Sequence, residues 1–177
     1  MSTLRRQLLA AAAVTLVWTG IQPGTVSAQT SGIGGDGSTR VLFRSTDGRP
    51  RIVKFDRDLQ QVQSRDYDAG EGWTPVALTV GSNSHSYLLW RHTDGSTVVW
   101  QLDENLSFVA GGGYYSGPGT GWTAQGLNSG PEGQIQVIWR LSDGRVAVYA
   151  FQGYPDRLQY MGRQFHGPFF GWDPGAP

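Results

Sequence analysis

Three stretches of this chain repeat one pattern: VLFRSTDG at residues 41–48, LLWRHTDG at 88–95 and VIWRLSDG at 137–144, spaced 47 and 49 residues apart. A second marker keeps the same order: GEGW ending at Trp73, GTGW ending at Trp122 and FFGW ending at Trp172, at intervals of 49 and 50 residues. Two markers held at one period restrict the fold to copies of a single unit, each burying its apolar surface against the next.

Each copy reads as short strands. In the middle copy Leu88 and Trp90 alternate with Leu89 and Arg91, Asp94-Gly95 makes the turn, and Val98, Trp100 and Leu102 line one face of the return strand. Asp-Gly suits a tight hairpin because glycine accepts positive φ and the aspartate carboxylate can bond its own backbone. The first copy returns through Arg51, Val53 and Phe55, with Pro50 at the strand entry where a missing N–H is tolerated. In the third, Val146, Val148 and Ala150 alternate with Ala147, Tyr149 and Phe151. Further strands are expected over 59–67, 74–80, 108–115, 123–127 and 158–165, about four per period. No segment holds a 3.6-residue apolar period for ten residues, so the fold class is all-β. Trp90, Trp100 and Trp139 lie on alternating strands and are expected in the core.

The N-terminus reads differently. Arg5 and Arg6, an apolar run from Leu8 to Trp18, and Val26-Ser27-Ala28 make residues 1–28 a secretory signal with cleavage before Gln29. Residues 29–40 are a Gly/Ser-rich segment without strand character, and 41–177 form one domain of three repeats. The 149 residues after cleavage suffice for one core. The chain has no Cys, so packing replaces disulfides. Removing Arg5 and Arg6 from the 14 basic residues leaves 12 against 14 acidic ones. A charge near −2 gives no reason to gather on nucleic acid or anionic lipid. The expectation is a secreted or periplasmic protein that is not an integral membrane protein after cleavage.

The Gly-Trp(-Thr) marker and the W-R-x-x-D-G hairpin resemble the blades of secreted bacterial β-propeller-like repeat proteins, and more weakly the sugar-binding propellers of the tachylectin and tectonin type. The resemblance covers residues 41–172, and implies three four-stranded propeller-like units. Trp73-Thr74 and Trp122-Thr123 fit the marker, whereas Asp173 follows Trp172. Three units fall below the usual number of blades in a closed ring. A β-trefoil-like three-fold barrel, a homo-oligomer in which a second chain completes a six-bladed ring, and an unusually tight closure are the alternatives.

The candidate sites follow from these repeats. His85, His92 and His166 are the only histidines, and the positions matching His92 are Ser45 and Leu141, so the repeat does not require imidazole there. Asp66, Asp68 and Glu71 form the densest acidic patch, but the matching loops carry no acid, and a solvated loop explains it more simply than glycan hydrolysis. Each hairpin turn has one acid where calcium needs several converging oxygens. No cofactor and no metal is expected, and the chain is not read as an enzyme. Arg44, Arg91 and Arg140 recur in every unit and suit a scaffold role. Trp73, Trp122 and Trp172 end Gly-rich loops and are joined by Tyr67, Tyr115 and Phe169. These six are the candidate ligand-binding residues, where aromatic faces could stack on a sugar ring. The expected function is that of a secreted carbohydrate-binding, lectin-like repeat protein with quasi-equivalent aromatic loop pockets; the alternative is an extracellular or envelope protein-interaction scaffold. The expected partner is therefore a glycan or an envelope or extracellular protein.

Overall fold

The structure, a computed structural model, describes residues 27–45, 48–114, 121–130, 133–154 and 157–169. Twelve strands form three antiparallel sheets of four consecutive strands each. The first sheet holds β1 (Ser27–Ile33), β2 (Thr39–Arg44), β3 (Pro50–Phe55) and β4 (Gln61–Asp66). The second holds β5 (Trp73–Val80), β6 (Ser86–His92), β7 (Thr97–Leu102) and β8 (Phe108–Tyr114). The third holds β9 (Trp122–Ser129), β10 (Gln134–Leu141), β11 (Val146–Gly153) and β12 (Leu158–His166). β5 lies beside both β1 and β9, which makes these three the inner strands. The trefoil-like barrel does not form, because the described strands pair within three separate four-stranded sheets.

The repeat extends to the irregularities. The inner pairing steps over Gln29, Val76 and Gln125 in the three sheets, and the outer pairing steps over Val62, Val109 and Met161. A bulge kept at one place in every copy is a built feature of the unit. In the turns between second and third strands, Gly48, Gly95 and Gly144 share φ near 86–89°. Asp94 and Asp143 accept the backbone N–H of Ser96 and Arg145. These lone aspartates thus serve as turn formers.

The Gly-rich stretch expected to be irregular supplies the inner strand of the first sheet. Its glycine has a steric reason: a Cβ on Gly32 would lie 2.8 Å from Val80 Cγ2 and 3.0 Å from the Val80 amide nitrogen. Glycine weakens the strand's own propensity but permits β1 and β5 to approach closely.

Two hydrophobic cores join the sheets. Leu42, Ile52 and Tyr67 of the first unit meet Leu78, Leu88, Trp90, Leu102 and Leu106 of the second. Ala77, Tyr87, Leu89 and Val99 of the second meet a third-unit cluster that includes Ile135, Val137, Trp139, Tyr149 and Phe151. Trp90 and Trp139 are buried as expected, and the half-buried Trp100 packs on Trp90 with ring centres 4.8 Å apart.

At the first junction the turn between β7 and β8 is held from three sides. Leu106 adopts φ 60° and is fully buried. Its carbonyl accepts bonds from the Tyr67 hydroxyl (2.7 Å) and Arg65 (3.0 Å), and Gln63 and Lys54 donate to the carbonyls of Asn105 and Glu104. Beside this turn, and joined to it through Lys54, the junction is ionic. Arg40, fully buried, pairs with Asp36 at 3.2 Å and donates to the Ser84 carbonyl, while Asp36 also receives Lys54 at 3.0 Å. Burial alone would raise the Asp36 pKa, but its bonds from Ser38, Lys54 and Arg40 outweigh that and hold it well below the carboxylate range. The residue matching Arg40 in the second sheet is Tyr87, whose ring packs against Gly153 at the second junction.

Two stability effects follow. Leu106→Ala is expected to cost about 3 kcal/mol, by lost burial and a residual cavity, measured as a lower urea midpoint. Asp36→Ala leaves the Arg40 charge with fewer partners and is expected to cost about 2 kcal/mol, less than a fully enclosed pair because Asp36 is partly exposed. Because the folded-state pKa of Asp36 is depressed, its contribution is present above the ordinary carboxylate range and is lost as pH falls through it. The wild-type and Asp36→Ala midpoints should therefore converge in acid.

Candidate functional site

The rim formed by the turns between second and third strands gathers most of the described candidate residues. Trp73 and Trp122 begin β5 and β9, opposite His92 and Leu141 at the ends of β6 and β10. Both tryptophans are half-buried and pack against the two cores. Trp73 lies 5.0 Å from the His92 ring, and His92 Nδ1 lies 2.8 Å from Asp94. The Gly-Trp marker has a local cause. Gly72 has φ 82°, its carbonyl accepts the Thr93 N–H, and a Cβ there would collide with the His92 imidazole. The glycine thereby seats the incoming inner strand on the hairpin turn.

Tyr67 is committed elsewhere, whereas Phe169 joins the rim. Tyr67 belongs to the first core and is 8% exposed, with its hydroxyl committed to the Leu106 carbonyl. Expected beside the Gly-Trp loops at the end of a strand, it is enclosed by the turn it holds. Phe169 is exposed, and its amide donates to the Gly144 carbonyl at 2.9 Å, which holds the chain after β12 against the third hairpin turn. Tyr115 and Trp172 lie outside the described residues.

The acidic patch and the histidines have structural neighbours. Asp66 forms a two-point pair with Arg51, and Asp68 accepts the Gly70 N–H. His85 meets Gln101 at 2.8 Å, and Gln101 donates to the Tyr154 carbonyl across the second junction. Among the described residues no group of three or more His, Asp or Glu could hold a metal ion, and no helix is long and apolar enough to cross a membrane.

A further set of residues lies on β12, of which only Phe165 stands out in the sequence, as an aromatic near the third Gly-Trp marker. Tyr160, Met161 and Phe165 are 46–57% exposed on this outermost strand. Tyr160 continues outward from the core, 5.7 Å from Phe151 and 6.1 Å from Tyr149. The Arg163 guanidinium lies 5.2 Å over Phe165 and 5.9 Å over Tyr149, and Phe165 reaches Trp122 at 5.8 Å. The strand β12 meets, β8, carries Ala110-Gly111-Gly112-Gly113, with Gly112 against Leu158. Those small residues leave the aromatic wall uncovered beyond Leu158. The sequence signal was the density of Tyr160, Met161, Arg163 and Phe165, which the bulge at Met161 hides from simple alternation.

No protein-family model matches the chain, and no curated protein sequence is similar to it. Among solved structures the fold is similar to a protein of unknown function from Bacteroides caccae, with TM-score 0.51 and 8% identity over 79% of this chain and 46% of that one. It is also similar to Saccharomyces cerevisiae Sqt1, with TM-score 0.50 and 10% identity over 82% of this chain and 37% of that one. The chain spans less than half the length of either. These likenesses define an all-β repeat fold resembling propeller-type proteins. The described residues bring no group of three or more His, Asp or Glu together to hold a metal ion, and the chain has no Cys.

The seating of the Gly-Trp marker yields a direct test. Gly72→Ala forces a Cβ into a left-handed backbone beside His92 and is expected to cost about 2 kcal/mol. The urea midpoint should fall and the Trp73 emission should change in the folded state.

Proposed function

We propose that this protein is a non-catalytic interaction scaffold, exported by residues 1–28, that holds an extended segment of an envelope or extracellular protein along β12. One observation carries this reading: an outermost strand exposes Tyr160, Met161 and Phe165 together with Arg163. A peptide laid along the outer edge of β12 takes main-chain hydrogen bonds there, and its alternate side chains rest on the aromatic rings. Arg163, stacked over Phe165 and donating to the Tyr149 hydroxyl, holds these rings in place. Cleavage before Gln29 is compatible with this scaffold, because the inner-strand pairs from Thr30↔Leu42 to Ile33↔Thr39 lie beyond the cut.

The Trp122–Phe165 pair beside the third rim favours a second reading, in which the apolar face of a sugar ring stacks there without calcium. The two readings separate when the folded protein is tested on a library of extended peptides and on a glycan array with and without chelator. Selection of peptides with alternating apolar residues, weakened at least tenfold by Tyr160→Ser/Phe165→Ser, supports the first. Chelator-resistant binding to related glycans that Trp122→Ala abolishes, with no peptide selected, replaces it with the second. Two blanks reject both.

A further inference from the structure

Each sheet has a forward face, which packs on the next unit, and a backward face, which packs on the one before. The forward positions Leu42 and Ile52 of the first sheet match Leu89 and Val99 of the second, and Ile138 and Val148 of the third. Leu42, Ile52, Leu89 and Val99 are buried in the two cores, while Ile138 and Val148 remain half-exposed. The backward positions Leu88, Trp90 and Leu102 of the second sheet match Val41, Phe43 and Phe55 of the first. The former lie in the first core, whereas the latter are only half-buried. Among the described residues, one apolar face of each kind therefore lies beyond the two internal junctions.

The turn between third and fourth strands shows how such a junction locks. Leu59 and Leu106 hold the same repeat position and the same φ of 60°. Asp56 accepts the amides of Asp58 and Gln60 just as Asp103 accepts those of Asn105 and Ser107. Leu106 is fully buried against the first sheet, yet Leu59 is 61% exposed. An exposed leucine in a left-handed conformation is costly in a free turn, and its twin shows what that geometry is for. The first sheet holds Leu106 through Arg65 and Tyr67, and the strand register places Gln164 and His166 at the matching positions of the third sheet. Both are exposed, and each carries an N–H able to donate to a carbonyl.

We infer that two copies of this chain close head to tail into a six-sheet ring, with the Leu59 turn of each copy seated on Ile138, Val148, Gln164 and His166 of the other. The occupant is a second copy because the two faces match one another by the rule that joins the chain's own sheets. The number is two because two sets of the three described sheets make six, within the range of about four to eight blades that propeller rings typically contain. The junction leaves Tyr160, Arg163 and Phe165 outside it, so it stands or falls separately from the peptide-binding reading.

The test expresses the full 177-residue chain and reads the N-terminus of the recovered protein by intact mass, then its assembly by light scattering and native mass spectrometry. A two-chain species is expected. Leu59→Asp, at an exposed turn where aspartate tolerates the left-handed backbone, and Val148→Asp are each expected to weaken it at least tenfold, with circular dichroism confirming the fold. Mixing the two variants restores a two-chain species, because one junction then pairs two unaltered faces. Wild type that stays single at 100 µM (roughly 10–100 times a typical micromolar dissociation constant) overturns the inference, whether or not the leader is retained. So do larger species that grow with concentration, a two-chain species indifferent to both variants, or a mixture that fails to recover one.

Discussion

The architecture depends on one contact, the seating of a left-handed turn from one sheet against the face of the sheet before it. Leu106 is driven into the first core by burial of its side chain, worth about 2 kcal/mol, and its carbonyl is then fixed by Arg65 and Tyr67. Apolar burial supplies the attraction but no direction. The hydrogen bonds supply the direction, and they set the outer edges of the two sheets at a fixed separation. Close approach at the inner strands, where Gly32 meets Val80, fixes the other side of the wedge.

The same division of labour explains the uneven surface. Where the facing strand is bulky, aromatic side chains disappear into the core, as Trp90 and Trp139 do. Where it is reduced to glycine, as in β8, the aromatic side chains of β12 remain at the surface. Exposure of Tyr160 and Phe165 is thus a property of two strands together, which gives the interaction surface a structural origin independent of any ligand.

Much of this was legible in the sequence. The hairpins around Asp94-Gly95 and Asp143-Gly144, the four-strand period and the burial of Trp90 and Trp139 all follow from alternation and turn chemistry. β1 was not legible, because the residues that suit it for close packing, Gly32 above all, are those that weaken strand propensity. The enclosure of Tyr67 was not legible either, because the turn that covers it comes from the next unit, 39 residues further on. The candidate site suffered most, since exposure on β12 is decided by β8, and local sequence does not reveal which strands face one another.

Arg40 and Tyr87 occupy the same repeat position but are not interchangeable. At the first junction Arg40 needs the Asp36 carboxylate and the Ser84 carbonyl; at the second, Tyr87 lies so close to Gly153 that no side chain fits between them. Three similar units on one chain invite stacking in the wrong order during folding. A unit docked out of sequence would take the Ser84 carbonyl away from the Arg40 guanidinium, or press a phenol ring into occupied space. The two residues thereby make the first and second junctions chemically different, although the units that form them are alike.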